Sequence, residues 1–106
     1  MNVLENLLVT LMEECAEVQK AASKILRAGP DSNINGTRPT TNLEELFNEL
    51  QDLYGTVAEL AENGLDIGER DPEKIHAKRM KLRHFIAVSR SLGFVQGPKA
   101  YREPEL

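Results

Sequence analysis

Between Val3 and Ala28 the chain contains neither glycine nor proline, and its apolar residues recur at three- and four-residue intervals: Leu4, Leu7, Leu8, Leu11, Cys15, Val18, Ala22 and Ile25. Alternating threes and fours follow the period of an α-helix, so the spacing predicts one amphipathic helix over 3–28. Lys24 and Arg27 fall in its last turn, and Gly29-Pro30 stops it. At 1.5 Å per residue such a helix measures about 39 Å, which is long for a monomer of 106 residues.

The punctuation that follows divides the rest of the chain. Residues 29–41 are turn formers almost throughout, a connection long enough to serve as a lid or binding loop or to be a tolerated surface insertion. Asn42 reads as an N-cap, with Glu45 three residues on completing a capping box. Leu43, Leu46, Phe47, Leu50, Leu53, Tyr54, Val57, Leu60 and Ala61 then predict a second helix over 42–63, stopped at Asn63-Gly64. Asp71-Pro72 is a second start signal, with proline in the first helical position. The third helix, over 72–92, is expected to turn Ile75, Leu82, Phe85, Ile86 and Leu92 inward and to end at Gly93. Residues 94–106 read as irregular, and nothing alternates with period two. The expected fold is all-α: a long helical hairpin plus a third helix, in a single domain over 1–106.

Composition limits the function classes. With 41% hydrophobic and 28% charged residues, wholesale disorder is excluded. The lone Cys15 excludes an internal disulfide framework and fits a reducing compartment. The first residues lack a basic leader pattern and no apolar run approaches about 18 residues, so a soluble, cytoplasmic protein is expected. Charge is unevenly spread. Residues 1–70 carry thirteen acids against five Lys/Arg, a net −8, and residues 71–106 carry four against eight, a net +4. Such halves are either solvated faces or an acidic half that binds cations beside a basic half that meets an anion.

The acids of the first two helices are the informative ones. Glu14 lies about 60–70° from the centre of the first apolar stripe, inside its edge, with Glu17 on the same flank and Glu13 nearly opposite. Glu49 borders the second stripe, and Asp52 lies farther round. Both pairs have i,i+3 spacing. A carboxylate at the rim of a buried face needs a partner because desolvating a charge is costly. Antiparallel packing of the two helices brings both pairs together near mid-helix. Four hard oxygen ligands with no basic residue between the members of either pair suit a hard divalent cation such as Mg²⁺. Neither His76 nor His84 follows a Glu by three, which disfavours di-iron chemistry.

Glu13-Glu14-Cys15-Ala16-Glu17 followed by Glu49-Leu50-Gln51-Asp52 reads as E-E-x-x-E … E-x-x-D. That pair of motifs, each on its own helix with a polar connection between, resembles the MazG-like all-α nucleoside triphosphate pyrophosphatases over roughly residues 4–62. The resemblance implies a helical homodimer or homotetramer whose sites sit in four-helix bundles. It further implies hydrolysis of an NTP or dNTP to the monophosphate and pyrophosphate, with Glu14, Glu17, Glu49 and Asp52 as ligands of Mg²⁺ or a substituting Mn²⁺. Neither membrane nor nucleic acid is an expected partner.

That chemistry needs a carboxylate to orient or deprotonate the attacking water. Glu45, one turn before Glu49, is the candidate, although its capping-box role accounts for it equally well. Glu49 is the second residue expected to matter for catalysis. Phosphate contacts are expected from Lys20, Lys24 and Arg27 on the first helix and from Lys78 and Lys81 within the third helix's basic cluster. Lys24 and Arg27 equally suit the helix C-terminal dipole. Phe47 and Tyr54 are expected in the core and Cys15 as a small buried hydrophobe. The rival readings are a helical interaction module with a basic partner-binding helix, and a relative acting on phosphoribosyl-ATP or dUTP.

Overall fold

A computed structural model describes residues 1–97. It contains three helices, α1 (Val3–Ala28), α2 (Asn42–Glu62) and α3 (Pro72–Ser91), and no strand among the described residues. Each boundary falls within a residue of expectation. Of the tail expected to be irregular, 94–97 is so, and 98–106 lie outside the described residues. No described helix is long and apolar enough to cross a membrane. The chain divides into two units, Met1–Gly68 and one that begins at Glu69.

In the first unit α1 and α2 pack as an antiparallel hairpin. Lys24, near the end of α1, pairs with Glu45 at the start of α2, while Glu14 in mid-α1 meets Glu49 and Asp52 farther along α2. The shielded positions include a row in three-four alternation: Leu4, Leu7, Leu11, Glu14, Val18, Ala21 and Ile25 on α1, and Asn42, Leu46, Glu49, Leu53, Thr56 and Leu60 on α2. Val9, Thr10 and Lys24 on α1 and Glu45, Leu50 and Val57 on α2 are half-buried beside it. The row has the spacing of a narrow coiled-coil seam. Among the described residues only Ala21, at 3% exposure, and Leu60, at 0%, are fully buried apolar residues.

A narrow seam explains which core expectations fail. Cys15 is exposed, as are its heptad neighbours Leu8 and Ala22 on the shoulder of the stripe. Phe47 is 60% exposed and Tyr54 43% exposed, so neither is a core residue of this chain. Leu43 and Ala61 also stand outside the seam. A second helix covers two positions per heptad, whereas these stripes are three to four positions wide.

The turn between the helices is tied down by hydrogen bonds. α1 ends at Gly29, whose φ of 88° suits glycine and whose N–H donates to the Ile25 carbonyl at 2.8 Å. The expected capping box of Asn42 and Glu45 is not formed: Thr41 is the N-cap of α2 and Glu44 its reciprocal partner. Asn42 is drawn one position into the helix because its side chain has another task. Buried to 2% exposure, it donates to the carbonyls of Lys24 at 3.2 Å and Gly29 at 2.9 Å and accepts from Arg38 at 2.6 Å. The N–H groups of Asn42 and Leu43, orphaned at a helix start, donate to the Ser32 and Pro30 carbonyls, each at 2.9 Å. Loop 29–41 is therefore stitched to both helices.

In the second unit Asp71 caps α3 as expected, accepting from the N–H groups of Glu73 and Lys74 at 3.0 and 3.2 Å, with Pro72 in the first turn. Its apolar residues do not turn inward within this chain. Ile75, Leu82, Phe85, Ile86 and Leu92 are between 46% and 66% exposed. The helix carries no continuous apolar stripe; Lys78, Arg79, Lys81 and Arg83 interrupt it.

Two substitutions separate capping from stitching. Thr41→Ala removes a cap and is expected to cost about 1 kcal/mol. Asn42→Ala strands two carbonyls and is expected to cost about 2 kcal/mol. Urea unfolding followed by helical circular dichroism at fixed protein concentration measures both, and equal costs would deny Asn42 its bridging role. Ile34 sits at φ 56°, a left-handed conformation that a β-branched residue adopts reluctantly. Ile34→Asn is accordingly expected to stabilise the hairpin by about 1 kcal/mol.

Candidate metal centre

Two of the seam positions are carboxylates. Glu14 stands where α1 otherwise presents Leu, Val, Ala and Ile, and Glu49 occupies the facing stretch of α2. Asp52, one turn beyond Glu49, reaches the same place from the exposed side. One oxygen from each of Glu14, Glu49 and Asp52 lies within 4.8 Å of the others. Glu14 Oε2 is shut off from solvent and has no hydrogen-bond partner among the described residues. The described ion pairs both belong to Glu45, and none is described at these three acids.

The electrostatics follow from the cluster. Burial pushes the Glu49 carboxyl above its ordinary range, and the charges of Glu17, Asp52, Glu14 and Glu45 push it the same way. Glu17 is exposed and outside the three-residue cluster, yet it is the first of the charges acting on Glu49. Glu13 is exposed, as its outward direction implied.

Glu45 is in the opposite situation. Burial alone raises its carboxyl, but the hydrogen bond from Lys24, the charges of Arg38 and Lys24 and the Arg38 hydrogen bond outweigh that and hold it below the ordinary value. Lys24 Nζ lies 3.3 Å from Glu45 Oε2, and Arg38 Nη1 lies 2.6 Å from Oε1. A carboxylate held by two cations is a poor proton acceptor. It is well placed to hold Lys24 and Arg38 still.

The expected phosphate contacts separate. Lys24 and Arg27 line a cavity of about 410 Å³ under loop 29–41, together with Ser32, Ile34, Arg38 and Asn42. Lys20 is exposed and does not line it. Lys78 and Lys81 are exposed on α3, in the second unit. His84 packs against Phe85 with ring centroids 5.8 Å apart. Arg38 escaped the sequence reading, although one signal pointed to it: it is the only basic residue between Gly29 and Thr41.

Three oxygen donors drawn together with no ion pair described at them, one atom wholly unsatisfied, match the donor set of a hard divalent ion. A monovalent ammonium or guanidinium neutralises only one of three charges. No protein-family model, curated protein or solved structure matches this chain.

The opposite shifts of Glu49 and Glu45 give opposite pH signatures in EDTA. For Glu49 the folded-state value lies above the ordinary 4.5, so its ionisation costs stability as pH rises through the folded value. Glu49→Gln is expected to outlast the unsubstituted protein in urea at pH 7–8 and to converge with it below the ordinary carboxylate value of about 4.3. For Glu45 the folded value is depressed, so its stabilisation is present above 4.5 and is lost as pH falls through the folded value. Glu45→Gln is expected to unfold earlier at pH 7 and to converge in acid. Midpoints of the two variants moving in the same direction at pH 7 would contradict this electrostatic arrangement.

Proposed function

We propose that the chain is a Mg²⁺-dependent nucleoside triphosphate pyrophosphohydrolase, cleaving an NTP or dNTP at the α-phosphorus to the monophosphate and pyrophosphate. The observation that carries this reading is the meeting of Glu14, Glu49 and Asp52 within 4.8 Å, with Glu14 Oε2 buried and unsatisfied. The E-E-x-x-E … E-x-x-D resemblance supports the reading. A carboxylate cluster alone speaks for a cation; the resemblance is what points to a phosphoanhydride.

In this reading Glu14, Glu49 and Asp52 hold the ion, with Glu17 reaching it from the adjacent turn. Bound Mg²⁺ supplies neutralisation of the phosphate oxygens and of the leaving pyrophosphate. The residues themselves do the rest. The seam fixes Glu14 and Glu49 on rigid helices, so the donors are in place before substrate arrives. Asp52, on the exposed side, leaves the site open to a ligand from solvent. Glu45 positions Lys24 and Arg38 and does not take the proton from water, which leaves Glu49 as the catalytic carboxylate of the pair.

A second copy of the chain belongs to the proposal. Leu8 and Met12 on α1 and Leu43 and Phe47 on α2 are exposed large apolar residues beside a narrow seam. Another hairpin would cover them and form a four-helix bundle. One observation favours the interaction-module rival, namely the exposed apolar residues of the basic helix α3. Turnover separates the two readings.

Glu49→Gln and Asp52→Asn are each expected to lower Mg²⁺-dependent pyrophosphate release at least about 100-fold while preserving helical content. Monophosphate should appear in equal amount, and EDTA should abolish both products. Assay across the eight common NTPs and dNTPs, with dUTP and phosphoribosyl-ATP added, ranks the substrates. Undiminished release by Glu49→Gln would sink the assignment of the site, and no release from any substrate would favour the interaction module.

A further inference from the structure

We infer that the cavity under loop 29–41 is a metal-independent site for a phosphate group, with Arg38 and Arg27 as its contacts and Glu45 and Asn42 as its positioning residues. The reading of the ligand as the terminal phosphate of a nucleoside triphosphate rests on the proposed function; the anion site itself does not.

Charge comes first. The cavity carries three cations, Lys24, Arg27 and Arg38. The described carboxylate that answers them is Glu45, which takes up Lys24 and one arm of Arg38. Two positive charges remain in excess around about 410 Å³, a volume at the small end of ligand pockets. Arg27 has no described side-chain partner. It is the cation that a ligand meets without displacing anything.

Arg38 is built in as a different kind of contact. A guanidinium has five N–H donors. Nη1 spends one on Glu45 at 2.6 Å and Nη2 one on Asn42 at 2.6 Å. Nε is buried with no partner among the described residues. An arginine used only to hold the loop leaves no buried donor unmade, since an unsatisfied donor costs about 1–3 kcal/mol. The two bonds fix the plane of the guanidinium, which preorganises its remaining donors for an oxyanion. The Asn42 amide is fully used, with both hydrogens on carbonyls and its oxygen on Arg38. It therefore orients Arg38 and does not contact the ligand.

Position links this site to the carboxylates. Glu45 precedes Glu49 by one turn of α2, about 6 Å along the axis, and Asn42 precedes it by about 10 Å. Along α1 the contact Arg27 follows Glu14 by thirteen residues, about 20 Å.

Titration calorimetry with sodium tripolyphosphate in EDTA at low ionic strength tests the site without turnover. The unsubstituted protein is expected to bind, and added NaCl to weaken the binding. Arg27→Gln and Arg38→Gln are each expected to weaken it at least about tenfold, with Arg38→Lys recovering part of the loss and Lys74→Gln, the same loss of charge on α3, losing nothing. Arg27→Gln carries the test if Arg38→Gln loosens the loop, since Arg27 ties down no described group. Absence of binding by the unsubstituted protein, or equal binding by Arg27→Gln, overturns the inference. If tripolyphosphate binds as expected and no nucleotide is hydrolysed, the anion site stands and the pyrophosphohydrolase reading falls.

Discussion

The hairpin is held by a narrow seam, and two of its positions are carboxylates. Everything in the first unit answers to that. A seam of Leu, Val and Ala alone would pack α1 on α2 with more apolar burial, since each buried aliphatic side chain contributes about 1.5–3 kcal/mol. Placing Glu14 and Glu49 there forgoes that gain at two levels of a short interface and adds the desolvation of two like charges. Burial and neighbouring acids together raise the Glu49 carboxyl, the electrostatic record of that conflict. Without a cation the conflict persists. Such a cost is retained where the strained groups are used, which is why the cluster is read as a site and not as a packing defect.

The end of the hairpin shows the opposite handling of buried polarity. At Asn42 every donor and acceptor on the side chain is satisfied, and both backbone N–H groups at the start of α2 find loop carbonyls. Glu45 is matched by two cations. The contrast lies within two turns of one helix: the Asn42 and Glu45 side chains are matched, whereas Glu14, which meets Glu49 and Asp52, keeps a buried oxygen without a partner among the described residues. Rigid support beside an unmet electrostatic demand is how a binding constellation is held in place.

The helices were legible because their limits are written in glycine, proline and capping residues and their faces in three-four spacing. Glu14 was legible as a carboxylate at the rim of the stripe, although the packing places it within the seam, because the stripe is wider than the face a single partner helix covers. The same mismatch hid the exposure of Cys15, Phe47 and Tyr54: periodicity ranks faces but does not say how many neighbours will cover them. The N-cap was ambiguous at the level of pattern. Thr41 with Glu44 and Asn42 with Glu45 both spell a capping box, and the choice fell to a demand on Asn42 made by the end of α1, eighteen residues back at Lys24. Arg38 was out of reach for the same reason, since its partners are set by how the loop folds back. Sequence spacing carries helical faces well and loop closure poorly.

Charge arranges the first unit along α2. Near its start Lys24, Arg27 and Arg38 leave a positive excess, and one to two turns on Glu14, Glu17, Glu49 and Asp52 leave a negative one, with Glu45 at the boundary. A simple anion is attracted to the first region and repelled by the second, and a bare cation the reverse. A ligand that satisfies both must be an anion that brings or recruits a divalent cation at one end only. In the proposed function a polyphosphate with its metal is that ligand. Glu45 stands between the regions: its charge pushes the Glu49 carboxyl up, and it pairs with Lys24 and Arg38.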